Sequence, residues 1–125
     1  MRTEPPQFTH GPNYGPSAEW ANLVWLEALQ SSVGQVGASV RGLAVEPGFE
    51  VVVVHACVSH EVADELEDLQ QLVDDMSDSM EPFVRPLPKF ELRLHVGDTD
   101  PSWSGREHRP LYLVHWRARE GYVPE

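Results

Sequence analysis

The sequence predicts an α/β (α+β) two-layer sandwich with element order α-β-β-α-β-β: a four-stranded, mostly antiparallel sheet with two helices on one face. Three observations predict it. Two segments, Ala18 to about Ser32 and the stretch after Ser59, repeat apolar residues at helical spacing. Each is followed by two segments of strand character. The 125 residues suffice for a single core.

Residues 1–16 contain four prolines with Gly11 and Gly15, and read as an irregular tail. Ser17 is a plausible N-cap for the first helix, and Glu19 suits the positive end of its dipole. Trp20, Leu23, Val24, Trp25, Ala28 and Leu29 give this helix a broad apolar face, and Gly34 and Gly37 end it. Val40 to Glu46 reads as a short strand. Glu46-Pro47-Gly48-Phe49 is a turn sequence, because proline fixes φ and glycine accepts positive φ. Phe49 to Val58 contains four consecutive valines, the mark of a central strand covered on both faces. The two strands form a hairpin.

Ser59 is expected to cap the second helix, with Glu61 in its first turn. Val62, Leu66, Leu69, Val73, Met76 and Met80 recur every three or four residues, and the helix should end near Met80, before Pro82. Residues 82–88 form a proline-rich connector. Lys89 to Val96 alternates, with Phe90, Leu92, Leu94 and Val96 on one face and Glu91, Arg93 and His95 on the other. Gly97 to Pro110 is a long loop, and Leu111 to Ala118 the last strand, expected to pair antiparallel with the preceding one. The domain should therefore span 17–120, with 121–125 a short tail.

Charge limits the function classes. The formal net charge is −11. Residues 1–81 hold fourteen acids against two arginines, whereas residues 82–125 hold six acids against seven basic residues. Nucleic acid and anionic membrane are disfavoured partners, because phosphate binding needs a basic surface. No apolar run reaches the ~20 residues of a membrane helix, and residues 1–16 lack the apolar core of a secretory signal. Cys57 is the only cysteine, which excludes an internal disulfide and suits a reducing cytoplasm. Exposed aromatic residues leave a monomer or a weak dimer open.

The second helix is the most informative segment. Glu61, Asp64, Glu65, Glu67, Asp68, Asp74, Asp75 and Asp78 lie along it without a single Lys or Arg. Glu61/Glu65, Asp64/Asp68 and Asp74/Asp78 are like-charged pairs four apart, each costing a few tenths of a kcal/mol. Such a face suits docking on a basic partner; a solvated face of an acidic protein reads the same way. Trp103, in the long loop, is a second candidate anchor, or a cap on the sheet. Arg106 and Arg109 could meet an anion or solvent.

Catalytic and metal motifs are absent. Ser59-His60-Glu61 sets three catalytic residue types side by side, but adjacent helix residues point apart. Cys57 sits in an apolar strand, where a thiol is usually inert. A zinc site from His55, Cys57 and a neighbouring strand histidine, His95 or His115, is geometrically conceivable without metal-binding spacing. The reading is accordingly a binding protein, not an enzyme, with no cofactor. A small metal-dependent enzyme or metal-binding protein built on these strand residues is the alternative, and an acidic adaptor subunit another.

Residues 27–120 resemble the small immunity proteins found beside contact-dependent growth inhibition and other polymorphic bacterial toxins. The similar stretches are Ala38 to Val45, Phe49 to Val58, the acidic run Ser59 to Leu69, and Leu111 to Glu120. The resemblance lies in element order and acidic pattern. It implies an antidote that binds the C-terminal domain of a cognate toxin, in many such systems a nuclease, and blocks it.

Overall fold

In the computed structural model, which describes residues 7–8, 17–82 and 84–113, the elements run β1 (Gln7–Phe8), α1 (Ser17–Ser31), β2 (Val40–Pro47), β3 (Val51–Val58), α2 (Ala63–Met80), β4 (Val84–Arg85), β5 (Lys89–Val96), a 3-10 turn (Ser104–Glu107) and β6 (Arg109–Leu113). The four long strands form one mixed sheet in the order β5-β3-β2-β6. β2 pairs antiparallel with both β3 and β6, and β3 pairs parallel with β5. The expected architecture and element order hold.

The last two strands do not pair with each other, contrary to expectation; they occupy opposite edges. The reason is the crossover. α2 carries the chain back to the end of the sheet where β3 starts, so the next strand must run parallel to β3. Beyond Val96 the chain crosses the face opposite the helices and adds β6 beside β2. β1 and β4 form a separate two-stranded pair, Gln7↔Arg85 and Phe8↔Val84, where the sequence suggested an irregular tail and a connector.

Local chemistry also moves two boundaries. The hairpin reverses through residues 48–50, after the Pro47↔Val52 pair, rather than at Pro47-Gly48. The Trp20 indole N–H donates to the Gly48 carbonyl at 3.1 Å and anchors this turn to α1. α2 starts at Ala63, with Val62 as an extended N-cap that makes no side-chain capping bond. Ser59 is not the cap. Its backbone N–H still donates to the Ser39 carbonyl, and its hydroxyl meets His60 Nδ1 at 2.9 Å. The first helical turn consequently carries Asp64 and Glu65, and Glu61 precedes it.

The main core lies between the helices and the sheet. Trp20, Val24 and Ala28 of α1 and Leu69, Leu72, Val73, Met76 and Met80 of α2 meet Leu43, Val45, Val52, Val54, Ala56 and Val58. Full burial of each larger apolar side chain contributes about 1.5–3 kcal/mol, which outweighs the few tenths lost at each like-charged pair of α2. The opposite face of the sheet has its own small core, formed by Ala44, Cys57 and Trp103. Gly42 and Gly105 leave room for the indole. A Cβ on either would collide with the Trp103 ring, and one on Gly105 would also press on His55. Residues 114–120 of the expected last strand and domain end, and the expected tail 121–125, lie outside the described residues.

Gly105→Ala should therefore destabilise the protein by about 1–3 kcal/mol through overpacking. Urea denaturation checks this; an unchanged midpoint would show that the Trp103 layer yields freely.

Candidate functional site

Two surfaces carry functional groups, one on each side of the sheet. The helical layer is the first. α1 contributes Glu19 and Glu27, and α2 contributes Asp64, Glu65, Glu67, Asp68, Asp74, Asp75 and Asp78; neither helix contains Lys, Arg or His. Asp64, Glu67, Asp68, Asp74 and Asp78 are exposed, as is Glu61 just before the helix, and Asp75 is half-buried. Gln70 and Gln71 donate side-chain bonds to Asp74 and Asp75 at 3.0 and 2.7 Å, which spreads part of that charge.

Glu65 is different from its neighbours. It is half-buried, and its carboxylate accepts the Ser39 backbone N–H at 2.8 Å while lying against Gly37. It ties the loop after α1 to α2 and is committed inside the fold. The helical layer also exposes apolar groups. Leu26, Leu29 and Val33 lie three and four residues apart at the end of α1, and Val33 is 79% exposed.

Trp103 does not serve as a surface anchor, because it is only 2% exposed. Its indole lies across Gly42, against Ala44 and Cys57, and caps the sheet. The two loop arginines are also engaged within the fold. Arg106 donates to the Thr99 carbonyl at 2.6 Å. Arg109 donates to Asn22 Oδ1 at 2.6 Å and lies 4.0 Å over the Trp25 ring.

The second surface is a cluster of Glu46, His55 and His108, whose nearest ligand-type atoms lie within 4.8 Å of one another. β2 and β3 create its first half. Glu46 pairs with Val53, so it sits diagonally from His55 on the same face of the hairpin. His55 Nε2 lies 2.8 Å from Glu46 Oε1, and His108 Nε2 lies 3.3 Å from the same oxygen. His108 arrives from the long loop, directly after the 3-10 turn, and its ring stacks on that of His55 with centroids 4.8 Å apart. Ser104 Oγ meets His55 Nδ1 at 3.2 Å. His55 is buried, whereas the side chains of Glu46 and His108 remain 40% and 26% exposed. The hydrogen bond from His55 holds the Glu46 carboxyl below its ordinary pKa, assisted by the nearby charges of His108, His55 and Arg93 and opposed by partial burial.

This is not the grouping of strand residues considered from sequence. Among the described residues, Cys57 and His95 do not join His55 in a cluster of three ligands. The Cys57 thiol is buried and donates to the Gly97 carbonyl at 3.6 Å. His115 lies outside the described residues. Glu46 and His108 escaped the sequence reading; the hairpin register is the signal that would have found Glu46. No protein-family model matches the chain, and the comparison with curated proteins gave no significant match.

Glu46 supplies a pH test. Its folded pKa is depressed, so its stabilising contribution is present above the unfolded value, about 4.3, and is lost as pH falls through the folded value. The stability difference between wild type and Glu46→Gln should shrink as pH falls below about 4. Urea unfolding across a pH series reads this directly. A difference that does not vary with pH would mean that Glu46 contributes packing alone.

Proposed function

We propose that the protein is a non-catalytic binding protein that docks its helical layer on a basic protein surface, acting as a cytoplasmic immunity protein that neutralises a cognate bacterial toxin domain. The observation that carries this reading is the composition of that layer: nine acids and no cation across two adjacent helices, beside exposed Leu26, Leu29 and Val33. Complementary charge speeds capture of a basic partner and disfavours acidic ones. Apolar groups within a charged surround give such an interface its dehydrated centre. A nuclease domain, basic because it handles phosphate, fits this chemistry. The resemblance in element order and acidic pattern points the same way. Among the described residues no helix is long and apolar enough to cross a membrane.

The test is purification of the tagged protein from its native cells, identification of the co-purifying chain, and measurement of binding between the two pure proteins. A one-to-one complex with the C-terminal domain of a large secreted protein, and relief of that domain's toxicity on co-expression, are expected. Replacement of Asp64, Asp68 and Asp75 by Lys should weaken the complex about tenfold or more, at roughly 0.2–1 kcal/mol per lost charge contact plus the new repulsion. The unfolding midpoint should not fall. The association rate should also drop as salt rises. Unchanged affinity in the triple variant together with a salt-independent rate would remove the helical layer as the docking surface. A stable partner without toxicity would make the protein a subunit of another complex.

A further inference from the structure

We propose that Glu46, His55 and His108 form a site for one divalent transition-metal ion of the zinc class, with an open coordination position facing solvent. The site lies on the sheet face opposite the helical layer, so it is independent of the docking proposed above.

The donor set comes first. Two imidazole nitrogens and one carboxylate oxygen suit zinc, cobalt or nickel and fit calcium or magnesium poorly, because those ions take oxygen ligands. The carboxylate also brings a negative charge to partly neutralise the ion. Spacing comes next. Ligand atoms about 2.0–2.1 Å from a tetrahedral ion lie roughly 3.3–3.4 Å from one another. Glu46 Oε1 is already 3.3 Å from His108 Nε2 and 2.8 Å from His55 Nε2. Two donors come from the β2–β3 hairpin, and the third is brought to it by the loop after the 3-10 turn.

The ring planes lie 18° apart, so the two nitrogen lone pairs run side by side rather than converge. One ring must turn to admit an ion, and the surroundings decide which. His55 is 1% exposed and held at Nδ1 by Ser104. His108 is partly exposed and follows the 3-10 turn, so it is the ring free to swing onto the ion. An ionised Glu46 carboxylate can only accept a hydrogen bond, so in its 2.8 Å contact with His55 the Nε2–H is the donor. With the ion on Nε2, that proton moves to Nδ1, where the Ser104 hydroxyl can accept it. Such an outer hydrogen bond fixes the tautomer and orientation of a ligating histidine. Three protein ligands with two of them solvent-facing leave a fourth position for water, as in open zinc sites.

The acidic helix does not offer the same chemistry. Its carboxylates diverge from a helical surface, and it contains no histidine.

The experiment uses full-length protein without a histidine tag. Cobalt(II) is titrated first, followed by its displacement with zinc. One equivalent of cobalt should develop the visible bands of a four- or five-coordinate ion, and zinc should abolish them. Zinc should also raise the thermal midpoint, since an ion bound at 100 times its Kd adds about 2.7 kcal/mol of stability. His55→Gln risks the fold because the residue is buried, so His108→Ala and Glu46→Gln carry the test. Each should bind cobalt at least about tenfold more weakly while unfolding cooperatively without metal. Saturation at one equivalent with both variants weakened establishes the site. Binding that is absent, exceeds one equivalent, or survives unchanged in either variant overturns it.

Discussion

The structure depends on one requirement: β3 must be covered on both faces. Its sequence, VVVVHACV, has no side suited to open water. One face is met by the helices, which bury Val52, Val54, Ala56 and Val58. The other face is met by the loop from 98 to 108, which lays Trp103 over Cys57 and Ala44. That second cover explains features that otherwise look unrelated. The loop is long because it crosses the sheet from β5 to β6. Gly42 and Gly105 are glycines where the indole passes. His108 reaches the hairpin because its loop lies on this face.

Covering the sheet in this way separates the charges of the chain. The helices carry nine acids and no cation, and their inner stripes supply enough apolar burial to tolerate them. The cations of the described residues fall on the strands and on the crossing loop: Arg41, Arg85, Lys89, Arg93, Arg106 and Arg109. Arg106 and Arg109 are occupied in holding the loop and β6 in place. The two chemically marked regions therefore face opposite ways. One is a broad charged surface suited to another protein; the other is a small cluster of three side chains.

Much of this was legible in the sequence. The apolar period of α2 locates the core stripe from Leu66 to Met80, the valine run identifies the central strand, and the alternation from Lys89 to Val96 identifies β5. Strand pairing was less accessible. A parallel β5 follows from the helical crossover, but which strand neighbours β6 depends on the path of an irregular loop, which periodicity does not encode. The small cluster was hidden for a related reason. A reversal at Pro47-Gly48 would place Glu46 opposite Phe49, far from His55. The observed reversal comes later and sets Glu46 opposite Val53. Two residues of turn placement decide which side chains meet. Glu65 shows the limit of reading charge alone: the same residue type at the same spacing as its neighbours is an internal tie, because Gly37 leaves space for its carboxylate.

The valine run has a further consequence for how reliably the chain finds its own alignment. Val51 to Val54 are chemically identical, so hydrophobic contact alone scarcely distinguishes one β2–β3 register from the next. His55 breaks that degeneracy. A slip of one residue would drive its imidazole among the helices, and a slip of two that set it opposite Gly42 would part it from Glu46. One acid and one base thus act as a key for a strand whose apolar sequence is otherwise suited to pairing with copies of itself, and fidelity of folding is bought with the only strongly polar side chain that β3 contains.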